Sequence, residues 1–221
     1  TGSFNGSIGL AYRPADSWQI NANISTGFRA PNIDDIGKVF DSEPGAIIVP
    51  NPDLKPEYAY NYEIGISKII AGKLKLEGTV YYTRLADAMV RRDYQLDGQD
   101  SIFYDREMSK VLAIQNAAKA NVYGFQLGFD WQPAPNWTLT SKLNIQQGEE
   151  QDEETGEYVP LRHAAPTFGI TRLVYTIEKL RIEGNVQYNG SFSFDDLAPS
   201  EQTKVDIYAL DDQGRPFTPS W

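Results

Sequence analysis

The sequence contains no cysteine and only one histidine, His163. The lack of cysteine excludes disulfide bonds, thiol chemistry and thiolate metal sites. One histidine excludes a histidine-based triad or a multi-histidine metal site within these residues. No apolar run reaches the roughly 18 to 20 residues of a membrane-spanning helix, because polar residues or glycine interrupt every run. A membrane-spanning β-barrel is not excluded, since a barrel strand needs only about 9 to 11 residues with every second one apolar.

Positively charged residues are fewer than negatively charged ones. Thirty Asp and Glu stand against twenty Lys and Arg, which gives a net charge of -10 over 221 residues. A polyanion would be repelled by this balance, so nucleic acid is not an expected partner. Nothing in the sequence indicates a nucleophile or a phosphate-binding loop, and we expect no cofactor, no metal site and no enzymatic activity.

What the chain does contain is alternation. Apolar and polar residues alternate with the period of two that is typical of β-strands. Short turns, such as Pro14 to Ser17 and Ala71-Gly72, join successive stretches into antiparallel hairpins. Eight stretches follow this pattern, around residues 3–13, 18–25, 60–67, 74–82, 123–131, 137–145, 167–175 and 180–188.

Long connections separate the four hairpins. They cover approximately residues 30–57, 85–118, 147–162 and 190–221. Two contain turn signals of their own, Asp97-Gly98 and Asp212-Gln213-Gly214, which predict further hairpins. Short turns at one end of the strands and long loops at the other are typical of a transmembrane β-barrel. The predicted fold is therefore all-β and antiparallel, with short periplasmic turns and long extracellular loops.

Aromatic residues flank two of the short turns. Tyr12 and Trp18 lie beside the first, and Trp131 and Trp137 beside the third. They fit an interfacial girdle, although Tyr and Trp are also good strand formers. Around residues 167–175 the alternation slips, with Arg172 among apolar neighbours, which predicts a bulge.

Two segments resemble the barrel of TonB-dependent outer-membrane receptors. Residues 25–36 read Ser-Thr-Gly-Phe-Arg-Ala-Pro-Asn-Ile-Asp-Asp-Ile, and residues 51–57 read Asn-Pro-Asp-Leu-Lys-Pro-Glu. Tyr62-Glu63-Ile64-Gly65 follows, in the order that this family uses. Weaker matches lie at residues 124–126 and 161–166. The resemblance covers essentially the whole chain.

The resemblance implies that residues 1–221 are a partial barrel domain, with about eight strands of a wall of about 22. The plug domain that closes such a lumen, the segment that engages the TonB energy-coupling complex and the final strands are expected outside this excised piece. Family members sit in the bacterial outer membrane, in contact with lipid. They take up scarce, bulky nutrients such as ferric siderophores, haem, cobalamin or glycans, of which a ferric siderophore or a related iron source is the first candidate.

Two groups of site residues follow. Family barrels pair inward-facing Glu with Arg of the plug, and Glu63 occupies the matching position. Gln126 stands where a second Glu is usual; it can hydrogen-bond Arg but carries no charge. In the second long connection, cationic and aromatic side chains could contact an anionic chelate by charge and stacking. These are Arg91, Arg92, Tyr94, Tyr104 and Arg106.

Other polar residues receive simpler interpretations. The run from Glu149 to Glu154 could gather a calcium ion but lacks the spacing of a calcium loop, which favours a solvated loop tip. Asp34 and Asp35 are expected to cap a helix or stabilise a turn. His163 is expected near the start of a strand.

Two other architectures remain open. A soluble lipocalin-like barrel would point the apolar stripes inward, around a ligand. An autonomous eight-stranded outer-membrane barrel, with an adhesive or enzymatic role, would pair the first strand with the eighth, so that Ser7 and Gln187 would lie on adjacent strands.

Overall fold

A computed structural model describes residues 3–37, 39–43, 45–152, 155–162 and 164–221. It is built almost entirely of β-strands. The strands are β1 (Gly6–Ala15), β2 (Trp18–Arg29), β3 (Phe40–Glu43), β4 (Ala46–Val49), β5 (Glu57–Ile70), β6 (Leu74–Asp93), β7 (Ser101–Tyr104), β8 (Glu107–Ala134), β9 (Trp137–Gln151), β10 (Tyr158–Pro160), β11 (Phe168–Ile177), β12 (Leu180–Asn189), β13 (Ala209–Leu210) and β14 (Pro216–Phe217). A short helix, α1 (Ile33–Gly37), follows β2. No helix of the described part is long and apolar enough to cross a membrane.

The main sheet follows the predicted hairpins. Its strand order is β1-β2-β5-β6-β8-β9-β11-β12. The eight strands on this path correspond to the eight predicted stretches, which confirms the predicted number. In this order β1 and β12 are the two end strands, so the barrel is not closed within the chain. The order contradicts the autonomous eight-stranded barrel, which required Ser7 in β1 to lie beside Gln187 in β12.

Two of the short turns contain left-handed backbone. Ala71 has a φ of 51° and Gly72 a φ of 63°, between β5 and β6. Positive φ at both central residues matches the twist of the flanking strands, which is why such turns connect hairpins. Glu178 has a φ of 47° in the turn between β11 and β12.

The chain forms two compact units. Unit 1 consists of residues 1–6, 26–60 and 84–120, and unit 2 of residues 7–25, 61–83 and 121–221. Much of the connection predicted at 85–118 is strand, because β6 continues to Asp93 and β8 begins at Glu107. The sequence pattern underestimated both strands.

Unit 1 has a hydrophobic core of its own. β4 pairs in parallel with β8, with Ile47 opposite Val111, and β7 pairs antiparallel with β8. Ile47, Val49, Val111 and Ala113 are buried there, with Tyr94, Leu96 and Ile102 packed against them. The parallel pair is an addition to the predicted antiparallel fold. It arises because Ala46–Val49 is a continuous apolar run, which favours burial on both faces.

The predicted bulge in β11 is wrong. β11 pairs without a register shift from Phe168 to Ile177 along β12, and from Phe168 to Tyr175 along β9. Ile170 lies opposite Lys142 and Gln187, so Ile170 and Phe168 share the face of those polar residues. Three apolar side chains on the polar face, those of Phe168, Ile170 and Val174, disturb the alternation, and no residue is inserted.

The long segment after β12 returns to its starting point. Asn189 and Trp221 exchange two backbone hydrogen bonds, of 2.7 and 3.2 Å, and Phe192 and Thr218 form a second bridge. Between them, β13 pairs with β14. Gly214, with a φ of 76°, lies in their turn, which confirms the hairpin predicted at Asp212-Gln213-Gly214. Likewise, Leu96 and Gln99 bridge across Asp97-Gly98, as predicted.

Candidate functional site

The apolar face of the strands is exposed. Ile8, Ile64 and Val80 are 73%, 64% and 66% exposed. A soluble barrel would cover these stripes, so their exposure contradicts the lipocalin-like alternative and fits contact with lipid. Among the predicted girdle residues, Tyr12, Trp131 and Trp137 are also exposed, and Lys68 lies 4.5 Å from the Trp18 ring centroid.

The opposite face of unit 2 carries linked polar side chains. The Tyr81 hydroxyl in β6 lies 3.2 Å from Oδ1 of Asn144 and 2.8 Å from Oε1 of Gln146, both in β9. β8 separates these strands in the sheet. Gly124 lies in β8, and the Cβ that it lacks would lie against the Ile145 oxygen and 2.8 Å from the Gln146 Cα of β9. Tyr81, Asn144 and Gln146 therefore form a hydrogen-bonded group on the polar face.

The two predicted plug-contacting residues lie on that face. Glu63 in β5 is half-buried and accepts a 3.5 Å hydrogen bond from Asn61, which also accepts one from Thr83. Gln126 in β8 is exposed and lines a cavity of about 740 Å³. Lys142, Asn144, Phe168, Ile170, Gln187 and Asn189 contribute to the same lining. Contact of Glu63 and Gln126 with a plug stays a prediction.

The predicted ligand-contacting residues divide between two places in unit 1. Arg91 and Arg92 lie near the end of β6, and Tyr94 packs against the small core. Tyr104 and Arg106 lie at the turn between β7 and β8, where both are exposed. Their role in ligand binding stays a prediction.

An ion-pair cluster that the sequence analysis missed joins three elements of unit 1. Arg29, at the end of β2, places its guanidinium 3.0 Å from Oδ2 of Asp35 and 3.3 Å from Oε1 of Glu57. The side chain of Asp35 is only 9% exposed. The sequence signal for this cluster was that Arg29, Asp35 and Glu57 all lie in the two segments, residues 25–36 and 51–57, that resemble the receptor family.

Asp35 also caps α1, as predicted. Its backbone N–H donates to Oδ1 of Asn32, and the Asn32 N–H donates to Oδ2 of Asp35, both at 2.9 Å. This reciprocal pair is a capping box. The side chain of Asp34 and all of His163 lie outside the described residues, so their predicted roles are untested.

The acidic run begins at the end of β9. Glu149 accepts a 2.8 Å hydrogen bond from Tyr123, and Asp152 accepts hydrogen bonds from the backbone and hydroxyl of Thr155. Glu153 and Glu154 lie outside the described residues. Within the described part, no group of three or more His, Asp or Glu side chains is arranged to hold a metal ion.

Glu150 has a perturbed acidity. Burial raises the pKa of its carboxyl, the Arg162 backbone and charge lower it in part, and the carboxylates of Glu201 and Asp152 raise it further. A raised pKa means that folding disfavours the ionised form. The contribution of Glu150 to the free energy of unfolding is therefore largest at low pH and falls as pH rises through the range in which Glu150 ionises.

We expect Glu150→Gln to remove this pH dependence. The amide exchange of Val159, which is paired with Glu150, is the measurement. The ratio of Val159 protection in the variant to that in the wild type should rise as pH rises above the ordinary titration range of a glutamate carboxyl, because only the wild type loses stability as Glu150 ionises. A constant ratio would contradict the prediction.

Comparison with known proteins agrees with this architecture. Residues 1–215 match the family described as "TonB dependent receptor-like, beta-barrel". The chain is 32% identical over 149 residues to a "Hemoglobin and hemoglobin-haptoglobin-binding protein" of Haemophilus ducreyi. The aligned region covers 63% of this chain and 15% of that protein. It is 36% identical over 61 residues to a probable protein of the same description from Haemophilus influenzae, covering 28% of this chain and 6% of that protein.

Solved structures show the same fold at low sequence identity. The siderophore receptor PirA of Acinetobacter baumannii has a TM-score of 0.72 at 16% identity, over 98% of this chain and 33% of its own. The FrpB iron transporter of Neisseria meningitidis has a TM-score of 0.62 at 16% identity, over 98% of this chain and 30% of its own. The chain thus spans a third or less of these relatives. Because the family match extends over residues 1–215, the chain belongs to the TonB-dependent receptors and forms part of their outer-membrane β-barrel.

Proposed function

We propose that the protein containing this chain is an energised outer-membrane receptor that imports a scarce iron source. The observation that carries the proposal is that one face of the sheet is apolar and exposed while the other carries hydrogen-bonded polar side chains, over residues that match the receptor family. Such a wall suits lipid on one side and a wet or protein-filled lumen on the other. We propose no chemistry on the ligand.

The first candidate ligand is a ferric siderophore. Arg91 and Arg92 supply cations near the end of β6, and Arg106 and Tyr104 supply a cation and an aromatic ring at the turn between β7 and β8. A ferric chelate with anionic oxygens would gain charge-assisted hydrogen bonds from either group. Tyr94 supports the first group from the small core. The names of two solved relatives, a siderophore receptor and an iron transporter, are consistent with this ligand class.

The second candidate ligand is a haem protein. It is favoured by the two sequence relatives, whose names give hemoglobin and hemoglobin-haptoglobin as what they bind. A protein ligand binds best to a preorganised surface, because mobile loops lose conformational entropy on binding. The buried core of unit 1 makes its surface rigid.

The remaining partners are proposed for the whole protein. A plug domain would contact the polar face through Glu63 and Gln126, and the TonB complex would supply energy through the part that precedes this chain. A carboxylate such as Glu63 needs a partner or water when it faces a lumen, and a plug Arg would provide one.

Growth under iron restriction tests the proposal. The full-length receptor would be expressed in cells that lack their own iron receptors, with a ferric siderophore or hemoglobin as the only iron source. We expect growth on at least one source, abolished when the proton gradient is dissipated. Absence of growth on every source, with folded receptor present in the outer membrane, would refute the proposal.

Arginine replacement tests the predicted contacts. We expect the double variant Arg91→Ala and Arg92→Ala to weaken binding of a ferric siderophore by tenfold or more, since hydrogen bonds to charged groups contribute about 1.5 to 3 kcal/mol. The matched control is Arg181→Ala in β12, where the arginine side chain is 61% exposed. Equal dissociation constants for the double variant and the control would exclude these arginines from the site.

A further inference from the structure

The hairpin of β7 and β8 carries an uncovered apolar pair. Phe103 and Met108 are 71% and 62% exposed. They are direct partners across the two strands, so their side chains lie side by side on one face. Exposed single apolar residues are ordinary, but two adjacent ones at a projecting tip form a contact patch.

The other face of the hairpin anchors it. Ile102 packs against the core of Ile47, Val49, Val111 and Ala113, and Ser109 is buried. Because successive strand residues point to opposite faces, this anchoring turns Phe103 and Met108 away from the core. The Gly45 N–H also donates to Oε1 of Glu107 at 3.0 Å. The packing of Ile102 and this hydrogen bond hold the hairpin in position.

The turn of the hairpin is tight. Asp105 has a φ of 41° and Arg106 a φ of 77°. Positive φ at both central residues is the geometry of a two-residue hairpin turn, which keeps the hairpin narrow.

The shape and charge of the tip specify its partner. Sites for small molecules are concave, whereas a hairpin tip projects, so a small chelate could not cover the Phe103 and Met108 side chains. Phe and Met are enriched in protein interfaces. Three exposed carboxylates lie near the pair in sequence, those of Asp97, Asp100 and Asp105, and they outnumber the exposed cation of the turn, Arg106. The complementary surface is an apolar pocket with a basic rim.

We propose that the β7–β8 hairpin is a docking site for a folded protein that presents an apolar pocket bordered by Lys or Arg. The inference deepens the proposed function and rests on it, because it assigns the contact for the haem-protein candidate. Phe103 and Met108 fill the pocket, and the acidic residues around them speed association.

The test uses the full-length receptor in outer membranes, with hemoglobin as the protein probe and free haemin as the small probe. We expect the double variant Phe103→Ser and Met108→Ser to bind hemoglobin at least tenfold more weakly, with unchanged uptake of haemin. The control is Ile33→Ser, which removes another apolar residue of unit 1 that is 80% exposed. Met108→Lys alone should also weaken binding, because a cation would face the basic rim.

The outcomes separate the two proposals. If the wild type binds hemoglobin and the Phe103 and Met108 variants bind it equally well, the docking inference is overturned while the receptor function stands. If the wild type grows on a siderophore but does not bind hemoglobin, the docking inference is also overturned. If the wild type obtains iron from no source, the proposed function fails, and the inference fails with it.

Discussion

Replacing Gly124 with alanine is expected to prevent normal folding of the wall. The new methyl group would lie against the Ile145 oxygen and 2.8 Å from the Gln146 Cα, both backbone atoms of β9. Backbone in a paired strand cannot move away without breaking the ladder between β8 and β9. Overpacking in a tight site costs about 1 to 3 kcal/mol, and separation of the two strands would add to it.

The effect of Gly124→Ala should appear as less folded receptor in the outer membrane and a lower temperature for the heat-dependent shift in gel mobility. The control is Gly184→Ala in β12, where a new methyl group would meet nothing within 4 Å. The control should fold as well as the wild type, because alanine restricts the unfolded chain more than glycine does. Equal unfolding temperatures for the two variants would show that β8 and β9 lie farther apart at Gly124 than described.

Replacing Arg29 with alanine is expected to release the segment that contains α1. Arg29 contacts two carboxylates, and the side chains of Asp35 and Glu57 are only 9% and 18% exposed. Removing the cation leaves both carboxylates poorly solvated and unneutralised. Breaking hydrogen bonds to charged groups costs about 1.5 to 3 kcal/mol, and the 48% exposure of the Arg29 side chain places the loss toward the lower value.

The loss should be local. Proteolysis of intact cells should cut Arg29→Ala receptor within residues 30–57 much faster than wild type, since the capping box of Asn32 and Asp35 and the contact of Glu57 with the Met89 N–H depend on the same carboxylates. The control is Lys110→Ala, which removes an exposed pair with Asp93 in the same unit and should change stability by less than about 1 kcal/mol. Equal cleavage rates would contradict a role for Arg29 in holding this segment.

Strand existence was predictable because alternation is local. A strand with one face in lipid must place an apolar residue at every second position, and all eight stretches with this pattern are strands. Strand length was not predictable. β6 and β8 continue through residues such as Arg91, Asp93 and Lys110, where the period-two pattern ends and pairing with strands distant in sequence, together with the core of unit 1, defines the element.

β11 illustrates the opposite error. A slip in alternation at Arg172 predicted a bulge, but the register is continuous, and Arg172 lies on the polar face, where it pairs with Glu183 at 3.0 Å. The error arose because Phe168, Ile170 and Val174 are apolar residues on that same face. The sequence pattern shows which residues are apolar. Only the strand partners show the face of the sheet on which each side chain lies.

The sequence by itself determined the hairpins, their turns and the family, because each depends on residues that are close together in the chain. It also supplied Glu63, Gln126 and the five loop residues as hypotheses. Only the tertiary structure decided that β4 lies beside β8, that Tyr81 reaches Asn144, and that Phe103 and Met108 form an exposed pair on an anchored hairpin. Most of these contacts join residues that lie far apart in sequence, and for those partners the free energy of packing chooses the register, which no local pattern encodes.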